Sequence, residues 1–348
     1  RRPPTSGARD DHFVVACARH TARARAIQIE HALRFHLLFV TAMIASAVAA
    51  LSASATAQTS SPQYSASLGS AGVEAMWQVP SGAPHSILFL AHGCNHQGTD
   101  FWHASAVCNK CLGLPEEVRI VKAALAANFA VIAVTSIDRD SGCWTFEADA
   151  PRVRDAIAAF RTAAGLPGSL PIVALGASSG GAFALQLPAV VPCMAVVSQI
   201  MAIPPNMLPA TMPPTLFVHM PRDQRTASYV HKDVRKLRQA GVAAHALEVH
   251  AQRPSKEFFL ERIERLTPAA AASLHAALDK AGLLDKHGFL RDDPRRSDWR
   301  GAIRSSAGLA QQLLGDSLVG DASAISEALN VAWAMHEIVS DPMEATIR

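Results

Sequence analysis

From residue 63 to residue 250 the chain alternates short apolar runs with helix-forming segments, and few folds accommodate that alternation. Residues 73–79, 86–91, 129–135, 171–175, 194–203, 215–219 and 242–249 read as strands. Between them, 116–127, 149–164 and 226–240 read as helices, the first opened by Pro115 with Glu116 and Glu117 in its first turn. A strand that returns parallel to its predecessor needs a crossover, so the pattern predicts a mainly parallel sheet covered by helices on both faces. No repeat or low-complexity linker divides this stretch, so 58–255 is expected to be one α/β core. After Val249 only helical periodicity remains, at 267–281, 299–314 and 324–339. Residues 256–348 are therefore expected to be a helical extension of the same domain. The extension would either cap the sheet edge, form a lid, or simply stabilise the core.

One turn in the alternation carries chemistry. Gly176-Ala177-Ser178-Ser179-Gly180 closes the apolar run Pro171-Ile172-Val173-Ala174-Leu175 and leads straight into Gly181-Ala182-Phe183-Ala184-Leu185. This is G-x-S-x-G between a strand and a helix, the setting of a nucleophile elbow, which forces the central serine into an exposed and strained conformation. Ser178 is the candidate nucleophile. A Ser/Gly-rich loop capping an ordinary helix is the plain alternative.

A serine nucleophile needs a base, a carboxylate to orient that base, and donors for the oxyanion. Asp223 follows the next-but-one strand after the elbow, just past its C-terminal end, where open parallel sheets place their chemistry. It is the candidate acid in the order Ser, acid, His, although an aspartate there also suits a helix N-cap. The oxyanion donors are expected from the backbone of Ser179 and from the His92-Gly93-Cys94 loop, hence Gly93 and Cys94. The base is open among His231, His245, His250, His275, His287 and His336. Position after the last strand favours His250. His245 should lie inside that strand, His231 and His275 on helix faces, and His287 in a turn.

Several blocks, in order, resemble a family of uncharacterised α/β-hydrolase-superfamily proteins known chiefly from plants and green algae. They are Leu90-Ala91-His92-Gly93-Cys94, Phe101-Trp102, Cys108-Asn109-Lys110-Cys111-Leu112-Gly113-Leu114-Pro115, Cys143-Trp144-Thr145-Phe146, the elbow itself, Pro214-Thr215-Leu216-Phe217-Val218-His219-Met220-Pro221-Arg222-Asp223, and the closing Ile325 to Glu337 segment. The resemblance spans about residues 85–340 and implies an α/β-hydrolase fold without naming a substrate. It also shifts the choice of base, because His336 falls inside a matched block and His250 in none. His336 is then expected on a helix brought over the sheet by the C-terminal extension, with His250 as the alternative and a chain lacking any base as a third case. His219, in a matched block at a strand end, is expected to be structural or to line the pocket.

The first 57 residues read as a leader: an Arg-rich segment, the uncharged apolar run 37–51, and Ala55-Thr56-Ala57 as a cleavage site. The apolar run is short for a membrane span. Secretion or a secretory lumen is the expected destination, with an organellar transit segment or a retained anchor as alternatives. The leader holds seven of the 32 Lys+Arg and three of the 29 Asp+Glu, leaving 25 against 26. The basic balance therefore belongs to the leader and gives no reason to expect a nucleic-acid partner. Cys94, Cys108, Cys111 and Cys143 fit two disulfides in an oxidising compartment, with three pairings open, or a zinc site in a reducing one. Cys17 lies in the leader, and Cys193 reads as buried and inert. No dinucleotide fingerprint, P-loop or HExxH motif is present. The expected function is hydrolysis of a small-molecule ester or other acyl compound without a cofactor, and the alternative is a non-catalytic ligand-binding protein of the same fold.

Overall fold

The computed structural model describes residues 60–306, 308–313 and 316–342. The expected leader, with Cys17, lies outside the described residues. Eight strands form one sheet: β1 (Gln63–Leu68), β2 (Val73–Gln78), β3 (Ser86–Ala91), β6 (Phe129–Val134), β7 (Ile172–Ala177), β8 (Ala195–Gln199), β9 (Thr215–His219) and β10 (Ala244–Glu248). Their spatial order is β1-β2-β6-β3-β7-β8-β9-β10. The β1–β2 and β2–β6 pairings are antiparallel and every other pairing is parallel. A separate hairpin, β4 (His103–Ser105) with β5 (Cys108–Leu112), sits between β3 and β6 in the chain.

The central strands are buried on both faces, which is why they read as continuous apolar runs. Along β3, Ile87, Phe89 and Ala91 face one side, while Leu88 and Leu90 face the other. Each of the Ile, Leu and Phe side chains among them is worth about 1.5–3 kcal/mol of burial. The first side is covered by α2 (Phe146–Ala163), α3 (Ser179–Gln186) and α4 (Gln224–Gln239), through Val153, Ile157, Phe160, Phe183, Val230 and Leu237. The second is covered by α1 (Pro115–Ala126) together with α5 (Lys256–Arg262), α6 (Pro268–Lys280), α7 (Trp299–Arg304), α8 (Leu309–Gln312) and α9 (Ala324–Trp333). Trp299, Ile303, Leu329 and Val331 of the extension share one apolar cluster with Leu90 and Leu175 of the sheet. The extension is thus part of the core.

Three expected elements differ. The strand expected over 194–203 stops at Gln199, because Ile200 takes a φ of 49°. The helix expected over 299–314 is broken into α7 and α8, with Gly308 left-handed ahead of α8. The helix expected over 324–339 ends at Trp333: Ala334 turns left-handed at φ 56° and His336 at φ 50°. His336 therefore stands on a turn beyond a helix and not on the helix itself, which corrects the sequence-based expectation.

Candidate active site

The sheet brings the candidate residues to the C-terminal ends of its parallel strands, where β3, β7 and β9 release their loops. Ser178 follows β7 and holds φ 53°, ψ −121°, a strained backbone for a non-glycine residue. Its N–H donates to the Gln199 carbonyl at 3.0 Å. The elbow glycines are fixed by contact. A Cβ on Gly176 would lie 2.0 Å from the Gly180 carbonyl oxygen, and one on Gly180 would lie 2.2 Å from that of Ala91. Only glycine lets strand, turn and helix approach this closely.

Ser178 Oγ lies 2.9 Å from His336 Nε2, and His336 Nδ1 lies 2.6 Å from Asp223 Oδ2. A carboxylate only accepts, so Nδ1 carries the proton and Nε2 is left to accept from the serine hydroxyl. The other oxygen of Asp223 accepts from the Thr226 N–H at 3.1 Å, at the start of α4. The helix-cap reading and the base-orienting placement of Asp223 thus hold together, one oxygen for each. Burial pushes the Asp223 carboxyl up, but the hydrogen bonds from His336 and Thr226 outweigh it and bring the pKa down to about 2.

That shift has a stability consequence with a definite sign. A carboxyl depressed to about 2 in the fold and near 3.9 when unfolded stabilises the fold fully above about pH 4, and the contribution is lost as pH falls toward 2. Asp223→Asn removes that contribution, so the melting-temperature gap between wild type and variant should close from about pH 4 downward. A gap that stays constant or widens on acidification would count against the assignment.

The loop after β3 stands beside the nucleophile. A Cβ at Gly93 would meet the Ser178 Cβ at 3.7 Å. His92 is buried, and its Nε2 accepts from the Ser136 N–H at 3.1 Å, so its Nδ1–H donates to the Gly93 carbonyl at 2.7 Å. Burial pushes the His92 imidazole down to about 4, which keeps it neutral. Trp144 Nε1 donates to the His92 carbonyl at 2.9 Å, and the Trp144 N–H donates to Ser179 Oγ at 3.4 Å. Cys94 and Cys143 form a disulfide, tying this loop to the segment that carries Trp144. Cys108 and Cys111 form a second disulfide within β5. The four sulfurs are thus paired two and two. Cys193 is a free cysteine, half-buried where full burial was expected, and desolvation pushes its thiol up to about 12.

The other histidines considered as the base have no hydrogen bond to Ser178. His250, the alternative base, is exposed just past β10 and has no hydrogen bond to Ser178. His245 lies in β10, His231 in α4, His275 in α6, and His287 in a turn. His219 is buried at the end of β9, its ring 5.4 Å from that of His231.

Sequence reasoning missed two residues that build the site. Gln199, fully buried at the end of β8, donates through Nε2 to the Val339 carbonyl and accepts the Val339 N–H, both at 2.9 Å. It ties the strand next to the nucleophile to the segment following His336. Its signal is a glutamine ending the run Ala195-Val196-Val197-Ser198 of small and apolar residues. Arg222, beside the candidate acid, stacks on the Trp333 ring at 3.8 Å from its centroid and donates to the Trp333 carbonyl. It fills an orphan acceptor at the end of α9.

No protein-family model matches the chain, and neither does any curated protein. Solved structures similar to it include a dienelactone hydrolase from Anabaena variabilis, with TM-score 0.42 and 19% identity over 55% of this chain and 87% of that one. A lipase in its open form gives TM-score 0.41 and 12% identity over 55% and 90% of the two chains. A fungal esterase from Rhizomucor miehei gives 0.37 and 17% over 61% and 81%. Strand order, parallel pairing and an elbow between β7 and α3 carry the structural conclusion: the chain has the α/β-hydrolase fold.

Proposed function

We propose that the protein is a serine hydrolase that cleaves a carboxylic ester or another acyl compound through Ser178, His336 and Asp223. The observation that carries the reading is the continuous hydrogen-bonded path from Ser178 Oγ through the His336 ring to Asp223, at 2.9 and 2.6 Å. In this reading Ser178 Oγ attacks the acyl carbon while His336 Nε2 takes its proton. Asp223 steadies the resulting imidazolium through Nδ1–H without itself becoming protonated. The oxyanion is met by the Ser179 N–H and by backbone donors of the Gly93–Cys94 loop. Collapse transfers the proton to the leaving group and leaves acyl-Ser178, and His336 then activates the water that releases the acid.

A fluorophosphonate probe tests the reading directly. The wild-type protein is expected to be labelled at Ser178, with Ser178→Ala abolishing both labelling and turnover of short acyl esters. Labelling that survives the substitution would reject Ser178. An unlabelled wild type whose melting temperature still rises with acyl ligands would favour the non-catalytic alternative.

A further inference from the structure

The weakest point in the site's construction is the segment that delivers the base. Helix α9 stops at Trp333, and the next three residues bring His336 Nε2 to 2.9 Å from Ser178 Oγ, with Ala334 and His336 both at positive φ. Neither is glycine, so each holds a strained conformation that persists only because its surroundings impose it. Such a turn also exposes carbonyls at the end of a helix that lack intrahelical partners.

The surroundings supply one guanidinium. Arg295 Nη1 donates to the Met335 carbonyl at 2.8 Å, and Nη2 donates to the His336 carbonyl at 2.8 Å. The same Nη2 donates to Glu337 Oε2 at 3.2 Å, and that oxygen also accepts from Asn330 Nδ2 at 2.9 Å. Three acceptors on consecutive residues are thus gathered by a planar fork whose geometry is fixed, which lysine's single ammonium cannot reproduce. The arginine is itself presented by a turn built on Asp293. That carboxylate accepts the Arg295 N–H at 2.9 Å and lies 3.8 Å from its Nη1. Burial is the largest influence on the Glu337 carboxyl and pushes its pKa up, while the Arg295 charge opposes that shift.

We propose that Arg295 is a positioning residue for the base: by bridging the carbonyls of Met335 and His336 and the Glu337 carboxylate, it holds the His336 imidazole in line with Ser178. The role rests on the hydrolase reading above. It assigns the loop before α7 a part in the site although it touches neither Ser178 nor Asp223. Because Arg295 is 39% exposed, its removal leaves a slot open to solvent that a free guanidinium ion can enter.

The experiment compares wild type, Arg295→Ala and Arg295→Lys on a short acyl ester, with and without millimolar guanidinium chloride. Arg295→Ala should lower kcat about 10–100-fold, the scale of a misaligned catalytic group, with KM within about twofold. Arg295→Lys should fall between the two. Guanidinium should raise kcat of the alanine variant several-fold and leave the wild type unchanged, a response that a merely structural loss would not give. An alanine variant with wild-type kcat, or a loss that guanidinium does not relieve, overturns the positioning role alone. A wild type that fails to label at Ser178 overturns both it and the hydrolase reading.

Discussion

His336→Ala is expected to lower kcat about 10⁴-fold or more, the scale seen when a serine triad loses its base, equivalent to about 5 kcal/mol of barrier. The size follows from how the site is wired. The serine hydroxyl has one hydrogen-bonded imidazole, and that imidazole has one carboxylate. Residues that work as a unit lose nearly everything when one is removed. Adding Ser178→Ala to the His336 variant should therefore cost little more. His250→Ala provides the contrast, because that side chain is exposed and lies outside the path; its turnover should stay within about twofold of wild type. Steady-state kinetics on one chromogenic ester decide the matter. A His336→Ala protein that retains a tenth of the activity would move the base elsewhere.

The reason His250 looked plausible from sequence is that it follows the last strand, and only the course of the chain after that point separates it from His336. Strands buried on both faces, such as Ser86–Ala91 and Thr215–His219, are legible to the residue because all positions but the closing His219 are apolar or small. Gln63–Leu68 and the Cys108–Leu112 hairpin strand are not, since they are partly exposed and mixed in polarity. The elbow is legible because close backbone approach at Gly176 and Gly180 demands specific residues. The turn that presents His336 is not. Trp333-Ala334-Met335 contains no Gly, Asn or Pro to mark a helix end. The helix is ended by distant partners instead: Arg222 on the Trp333 carbonyl and Arg295 on those of Met335 and His336. Cysteine spacing likewise left three pairings open: Cys94 pairs with Cys143 across two loops, while Cys108 pairs locally with Cys111 within β5.

The same dependence on distant partners predicts the largest loss of stability, at Arg262→Ala. Arg262 is 2% exposed and sits at the end of α5, with Nη1 donating to Glu116 Oε1 at 2.7 Å and Nη2 to Asp341 Oδ2 at 2.6 Å. Glu116, in the first turn of α1, is fully buried, and its second oxygen accepts both the N–H and the hydroxyl of Ser340 at 2.7 Å. This network joins the helix that covers the sheet to the chain segment that follows His336. Removing the guanidinium leaves an uncompensated carboxylate in the core, which costs about 3–5 kcal/mol. For a domain of this size that corresponds to a fall of roughly 10 °C in melting temperature. Adding Glu116→Gln should recover part of the loss, because the amide keeps an acceptor for Ser340 and removes the buried charge. Calorimetry on the single and double variants reads this out, and a double variant less stable than Arg262→Ala would contradict the buried-charge account. Turnover should fall along with stability in Arg262→Ala, since Ser340 and Val339 anchor the far side of the turn whose near side holds His336. Recovery of stability in the double variant without recovery of kcat would show that charge balance alone does not restore the turn, and that the Arg262 contacts to Asp341 and Gln252 carry the positioning.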